Sequence, residues 1–294
     1  HTVFGDSYLL LDFLKNSGIL GVLRSVFLKD TDYERVLCYV LHSILKDGSR
    51  ISCDDFISKS FAPYVVPDIM LSTLHTDSSF FSLLGDDKKK VAFFKVFIAM
   101  MQKSDPDFGK GCYVDSTPLP NDINDNPFNA LCCHGVGFSE VMSRLALVLD
   151  EKSGLPVWFD FIPGNILDLS EIMNIIEDVA DTLGIEIPSI VLDAGYVSTE
   201  LLKAFNHSSE KKIIGRMPNR RGYPYKTLYW EFRKEIGKGK YEFVRKGHAY
   251  FGKQKEIELF GVKEYAYVDV DHYNALKRFS DYLSEHQDEY DRLR

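Results

Sequence analysis

Two short stretches of this chain place a carboxylate where an apolar run ends: Asp115 in CYVDSTPLP (112–120) and Asp193 in IVLDAGYVS (190–198). Each run is rich in β-branched residues and reads as a buried strand, and each aspartate precedes small or turn-forming residues. A carboxylate in that setting has two uses. It can cap a turn, Asp115 through Ser116 and Thr117 ahead of Pro118, Asp193 ahead of Ala194 and Gly195. Alternatively, two such groups brought side by side repel strongly unless a divalent cation lies between them. Oxygen donors of this kind suit Mg2+ or Mn2+, and a pair of such ions activates a water or 3′-hydroxyl and stabilises the leaving oxygen in phosphodiester cleavage. The residues alone leave both uses open.

A second chemistry is spread over a longer segment. The formal charge is −8, yet between Lys203 and Lys255 15 Lys or Arg meet four acids, a balance of +11 that leaves −19 for the remainder. Ten aromatics are interleaved there, among them Tyr223, Tyr225, Tyr229, Trp230, Tyr241 and Tyr250. Cations alternating with aromatics suit a surface that follows a phosphate backbone, and they equally suit a solvated, twisted sheet with Lys outside and rings inside. On the first reading the DNA-binding candidates are Arg216, Arg220, Arg221, Lys226, Arg233, Lys234, Lys238, Lys240, Arg245 and Lys246. Guanidinium groups just past the fifth strand could clamp phosphates near the two aspartates.

Other reactive residues carry less. Cys132-Cys133-His134 has no second Cys/His cluster to complete a zinc site, and His134, His207 and His248 stand alone. Asn165 could touch substrate, whereas Asp168 is explained by capping the helix that follows it.

The elements that would position these groups can be read from periodicity. Val36, Leu37, Val40, Leu41 and Ile44 form a helical stripe, with Thr31-x-x-Glu34 as a capping box before it and Gly48 as a C-terminal cap after it. Leu10, Phe13 and Leu14 form another, and Lys90 to Met101 a third. From about residue 108 the pattern turns strand-like. CYVDST (112–117), RLALVLD (144–150) and PVWFDFI (156–162) read as strands, with a hairpin turn at 151–154. Asp168 to Leu183 then reads as a helix with Ile172, Ile175, Ile176 and Val179 on one face, SIVLD (189–193) as a strand, Ser198 to Phe205 as a helix and KIIGR (212–216) as a strand. Beyond Pro218, short basic and aromatic strands with Gly-rich turns are expected to about Asp269, followed by a polar helix.

The order β-β-β-α-β-α-β, with a right-handed crossover laying the fourth strand parallel to the first, is that of the RNase H-like fold. The expected class is therefore α/β, an RNase H-like mixed sheet with a helical N-terminal region and a β-rich insertion. The expected divisions are 1–107 helical, 108–217 catalytic core, and 218–294 basic insertion with a terminal helix. In this arrangement Asp115 and Asp193 are neighbours.

Composition excludes several classes. With 294 residues, 45% hydrophobic and 13% aromatic, the chain can bury a sizeable core. No run of about 18 apolar residues supports a membrane span, and no signal peptide opens the chain, so a cytoplasmic location is expected. Five scattered cysteines without a C-x-x-C pair read as reduced thiols. The opening at His1 and the charged close at Arg294 lead us to expect part of a longer protein.

Tyr113 to Arg216 also resembles the catalytic domain of bacterial insertion-sequence transposases of the DDE type, the group with a Tyr-x-x-Arg-x-x-x-Glu signature. YVDSTPL resembles the segment bearing that family's first aspartate, HGVGF with RLALVLDEKSGLPVWFDFIPGNILD its second and third strands, and VLDAGYVSTELL the segment bearing its second aspartate. FGDSYLLLDFL and its spacing to Asp115 resemble the family's N-terminal region. The resemblance implies a nucleoid-associated enzyme that cuts and joins double-stranded DNA at transposon ends and target, with Asp115 and Asp193 holding Mg2+ or Mn2+, and it is compatible with a homodimer. The signature itself is missing: Glu285 and Glu289 lack its context. The third ligand is then expected beyond Arg294, or this copy is an inactive DNA-binding relative. A hydrolase using the two carboxylates without metal is the remaining alternative, separable by its indifference to chelators.

Overall fold

The computed structural model describes residues 4–46, 50–65, 78–132, 140–165, 168–192, 199–206, 212–219 and 221–286, apart from the side chains of Arg50, Val65 and some residues of the later helices. The chain divides into two compact units, His1–Ile190 and Val191–Arg294.

The first unit begins with helices α1 (Phe4–Asn16), α2 (Ile19–Val26), α3 (Asp30–Leu45), α4 (Cys53–Ser58), α5 (Ala62–Val65), α6 (Ser78–Leu84) and α7 (Asp87–Met101). Most of the stripe expected in α3 packs inward: Leu37 and Leu41, with Cys38, join Leu11, Leu14, Phe56 and Ile57, Val36 joins Leu23, Val26 and Phe80, and Val40 is half-buried, whereas Ile44 in the last turn is exposed. The expected capping box does not form. The helix starts two residues earlier, at Asp30, and Lys29 caps it without a side-chain bond. Asp30 and Asp32 instead place negative charge in the first turn, and Asp30 pairs with Arg24. Gly48 lies outside the described residues.

The strands follow: β1 (Gly111–Pro120), β2 (Ala130–Leu131), β3 (Val141–Asp150), β4 (Pro156–Pro163), helix α8 (Asp168–Leu183) and β5 (Ser189–Leu192). Their order is β2-β3-β1-β5, with β4 also paired to β3. The β1–β3 ladder is antiparallel from Cys112 opposite Asp150 to Pro120 opposite Met142. The β5 strand runs the other way from β3, because Ser189 N–H donates to the Lys110 carbonyl and the two strand beginnings therefore lie together. The sheet is mixed.

Strand alternation gives this sheet two unlike faces. Cys112, Val114, Ala146, Val148 and Trp158 share one face and are buried. Helix α7 covers it, with Phe94 packed 5.3 Å from the Trp158 ring and Lys90 4.5 Å over that ring and 3.5 Å from Asp160. The α8 helix buries Ile175, Ile176 and Val179 and packs on α7 and β4. The β3–β4 turn falls at 151–154 as the spacing predicts, organised by buried Asp150, which accepts from the backbone of Gly109, Lys152 and Ser153 and from the Ser153 hydroxyl.

The second unit contains the end of β5, α9 (Thr199–Asn206), β6 (Lys212–Gly215), α10 (Tyr225–Arg233), β7 (Glu242–Arg245), β8 (His248–Leu259), β9 (Val262–Asp271) and α11 (His272–Glu285). The Arg216 N–H bonds to the Leu192 carbonyl, so β6 lies beside β5. The sheet β7-β8-β9 is antiparallel. Residues 225–233, expected as strand, are helix: Leu228 and Phe232, one turn apart, bury against Phe251 and Ala266, and Pro224 opens the turn. Among the described residues no helix is long and apolar enough to cross a membrane.

Candidate metal centre and nucleic-acid interface

Asp115 lies on the face of β1 opposite α7. Val114 before it is buried, whereas Tyr113, Asp115 and Thr117 are exposed and alternate onto the other side. Its Oδ1 accepts the Ser116 N–H at 2.8 Å, which fixes the carboxylate against its own strand. From the covered side, Arg144 donates through Nη2 to the Ser116 hydroxyl at 2.5 Å. Arg144 is only 7% exposed, so a buried guanidinium grips β1 one residue beyond the aspartate. Sequence reading passed over it, because one arginine in RLALVLD looks like a solvent-facing position. The signal available was the parity it shares with Ala146 and Val148.

Across the ladder Asp115 faces Leu147, flanked by half-buried Leu145 and Leu149. Tyr113 and Phe161 on the same face are each 44% exposed. Further along β1, Leu119, Ile123, Phe128 and Phe161 with Asn121, Asn126 and Ser143 line an open depression of about 370 Å³. The loop beside it is held by Asn121 and Asn129, each amide donating to the other's oxygen.

Asp193 follows Leu192 directly but lies outside the described residues, as do Cys133, His134, His207, Arg220 and Glu289. Glu285 ends α11, which packs on β8 and β9, and its side chain is not among those described. Among the described residues no group of three His, Cys, Asp or Glu is placed to hold a metal ion. Cys38, Cys53, Cys112 and Cys132 are buried and outside any disulfide, and burial pushes the Cys112 thiol up to about 12. His248 stacks on Tyr250 and reaches Asp271 at 3.8 Å.

The basic segment separates into two populations. Lys253 and Lys255 are neutralised by acids of α10 and the turn after it: Lys253 Nζ lies 2.6 Å from Glu235 and Lys255 Nζ 2.7 Å from Glu231. The Lys253 hydrogen bond holds the Glu235 carboxyl below its ordinary range. By contrast Arg216, Arg221, Lys226, Arg233, Lys234, Lys238, Lys240, Arg245 and Lys246 are exposed. On α10, Lys226, Tyr229, Trp230 and Arg233 recur at helical spacing opposite Leu228 and Phe232, and Arg233 stacks 5.0 Å over the Trp230 ring. That outward face carries cations and rings and no acid.

No family model and no curated protein matches the chain. Among solved structures it is similar to piggyBac transposase in a synaptic complex with hairpin DNA, at 12% identity and a TM-score of 0.37, over 81% of this chain and 52% of that one. It is also similar to Mos1 transposase in a paired-end complex with the left transposon end, at 8% identity and a TM-score of 0.25, over 70% of this chain and 66% of that one. The chain thus spans about half the length of the first relative and about two thirds of the second. Likeness at these scores defines neither a fold nor an activity.

Proposed function

We propose that this chain is an RNase H-like DNA transposase that cuts and joins strands at transposon ends and target, using Mg2+ or Mn2+ held by Asp115 and Asp193. The observation that carries this reading is the bond from Ser189 N–H to the Lys110 carbonyl. In a parallel ladder such a bond sets Ser189 opposite Gly111. In the sequence Asp193 follows Ser189 by four residues and Asp115 follows Gly111 by four. A ladder continued that far sets two carboxylates on adjacent strands at one level, the arrangement a shared divalent cation requires.

An exposed carboxylate on a strand, pinned by its neighbour's N–H, is a fitting oxygen donor for a hard cation. The further donors on this reading are Asp193 and water. Bound there, the ion would neutralise charge developing on a scissile phosphate and lower the pKa of a bound water. The protein's own part is positional: Ser116 N–H orients the Asp115 carboxylate, and Arg144 fixes Ser116 from beneath. The exposed cations of α10 and the following turn would hold the duplex through its phosphates, in the cytoplasm at the nucleoid.

Nicking of supercoiled plasmid tests the proposal. Nicking with Mg2+ or Mn2+ that disappears with a chelator, or in Asp115→Asn with an unchanged circular dichroism spectrum, supports it. Chelator-insensitive nicking would point to a metal-free carboxylate pair. A second reading, a DNA-binding relative without catalysis, is favoured by the lack of a Tyr-x-x-Arg-x-x-x-Glu segment in this sequence. It predicts duplex binding with no nicking in any metal.

A further inference from the structure

The second unit's sheet ends in β9, and among the described residues no strand pairs with its outer edge. Ten residues of edge strand are a long template for another chain. Which atoms face outward follows from the hairpin. The β8 and β9 strands are joined by Phe260 and Gly261, with φ of 52° and 81°, a two-residue turn that leaves Leu259 and Val262 opposite one another. In such a hairpin that flanking pair is hydrogen-bonded, so Val262, Glu264, Ala266, Val268 and Val270 turn their backbone groups toward β8. Lys263, Tyr265, Tyr267 and Asp269 then turn theirs outward. The same four side chains project from the face away from Leu228 and Phe232, with Tyr265 59% and Tyr267 72% exposed.

VKEYAYVDV (262–270) is nearly palindromic in chemistry about Ala266. We propose that β9 pairs antiparallel with β9 of a second copy of this chain around a two-fold axis at Ala266, making one continuous six-stranded sheet. In that register the outward-bonding residues meet each other. Lys263 faces the partner's Asp269, Tyr265 faces the partner's Tyr267, Val262 faces the partner's Val270, and Ala266 faces its own copy at the close, non-hydrogen-bonded centre. Opposite charges and aromatic rings directly across a ladder favour this pairing, and the two-fold repeats each contact. Glu264 against the partner's Val268 is unmatched. Within its own chain Lys263 stands across the ladder from Glu258 and lies 4.0 Å from Glu256, yet its side chain is 84% exposed and forms no ion pair closer than that among the described residues. A centre at Glu264 keeps the backbone parity but sets Lys263 against Tyr265 and carries Asp269 past the partner's Val262, and a centre at Tyr267 sets Lys263 against Asp271, whose carboxylate already accepts from the Asn274 backbone and side chain, so the centre at Ala266 gives Lys263 the better-placed acid.

The inference is independent of any catalytic role and is tested without DNA, by sedimentation velocity of the full chain over a range of concentrations. A monomer–dimer equilibrium is expected. Lys263→Asp and Asp269→Lys should each weaken it about tenfold, because like charges then face each other in both symmetric pairs. The double exchange Lys263→Asp/Asp269→Lys should restore it to within about twofold. In Tyr267→Pro, the lost N–H is one that points outward, so the β8–β9 ladder persists while the dimer is lost. A monomer at every concentration, single variants that associate like the wild type, or a double exchange that fails to restore association would each overturn the proposal.

Discussion

Charge tallies treat all cations of residues 203–255 alike, whereas the structure divides them, and on the proposed function the salt dependence of DNA binding measures the division. Replacing Lys226, Arg233 and Lys234 by Gln removes three exposed cations from α10 and its C-terminal end. Each phosphate contact contributes about 0.9 to the slope of log K against log salt, so the triple variant should lower the slope by as much as about 2.7. Between 50 and 200 mM salt that is a loss of roughly 40-fold in salt sensitivity. Replacing Lys253 and Lys255 by Gln removes two cations already engaged by Glu235 and Glu231. The slope should then change by less than about 0.9, although affinity falls uniformly because two acids lose their partners. Fluorescence anisotropy of a labelled duplex in a salt series reads both. A double variant whose slope falls as far as that of the triple, or a triple variant with the wild-type slope, would refute the division.

Three further outcomes follow from the packing. Phe232→Ala empties a fully buried site among Phe251, Leu228 and Ala266 and should cost about 3–5 kcal/mol in the second unit, measured by urea unfolding with Trp230 as reporter in a Trp158→Phe background. Asp150→Ala leaves the N–H groups of Gly109, Lys152 and Ser153 without their acceptor and should cost about 1–3 kcal/mol in the first unit, measured with Trp158 as reporter in a Trp230→Phe background. Burial raises the Asp150 pKa, but the N–H groups of Gly109 and Ser153 outweigh it and hold it below the ordinary carboxylate value. Its contribution is therefore complete above about pH 4 and lost as pH falls through the depressed folded value, so Asp150→Asn should flatten part of the acid limb of stability against pH.

The strand that carries Asp115 and the strand that precedes Asp193 were legible because their burial is one-sided or complete. The apolar run SIVLD gave the start of β5 at Ser189 and Ile175, Ile176 and Val179 gave α8, whereas the alternation in CYVDST (112–117) gave β1 but stopped three residues short of its end at Pro120. Helix α10 was not legible, since YKTLYWEFR is rich in strand-favouring aromatics and only Leu228 and Phe232 reach the core, too few to show a period. Tertiary packing against Phe251 decided it. Arg144 was hidden for a related reason: strand parity places it on the buried face, but nothing in the sequence announces its acceptor, Ser116, 28 residues away. The pairing of Lys253 with Glu235 and of Lys255 with Glu231 likewise joins residues 18 and 24 apart, so a count of charges could not find it.

The central claim is that Asp115 and Asp193 share a divalent cation, and binding of Mn2+ followed by electron paramagnetic resonance tests it without relying on turnover. The wild-type chain should show saturable binding. Asp115→Asn and Asp193→Asn should each weaken it by about tenfold or more, and the double variant should lose little beyond either single one, because both remove the same site. Wild-type Mn2+ affinity in Asp193→Asn, or no saturable binding by the unaltered chain, would contradict the account.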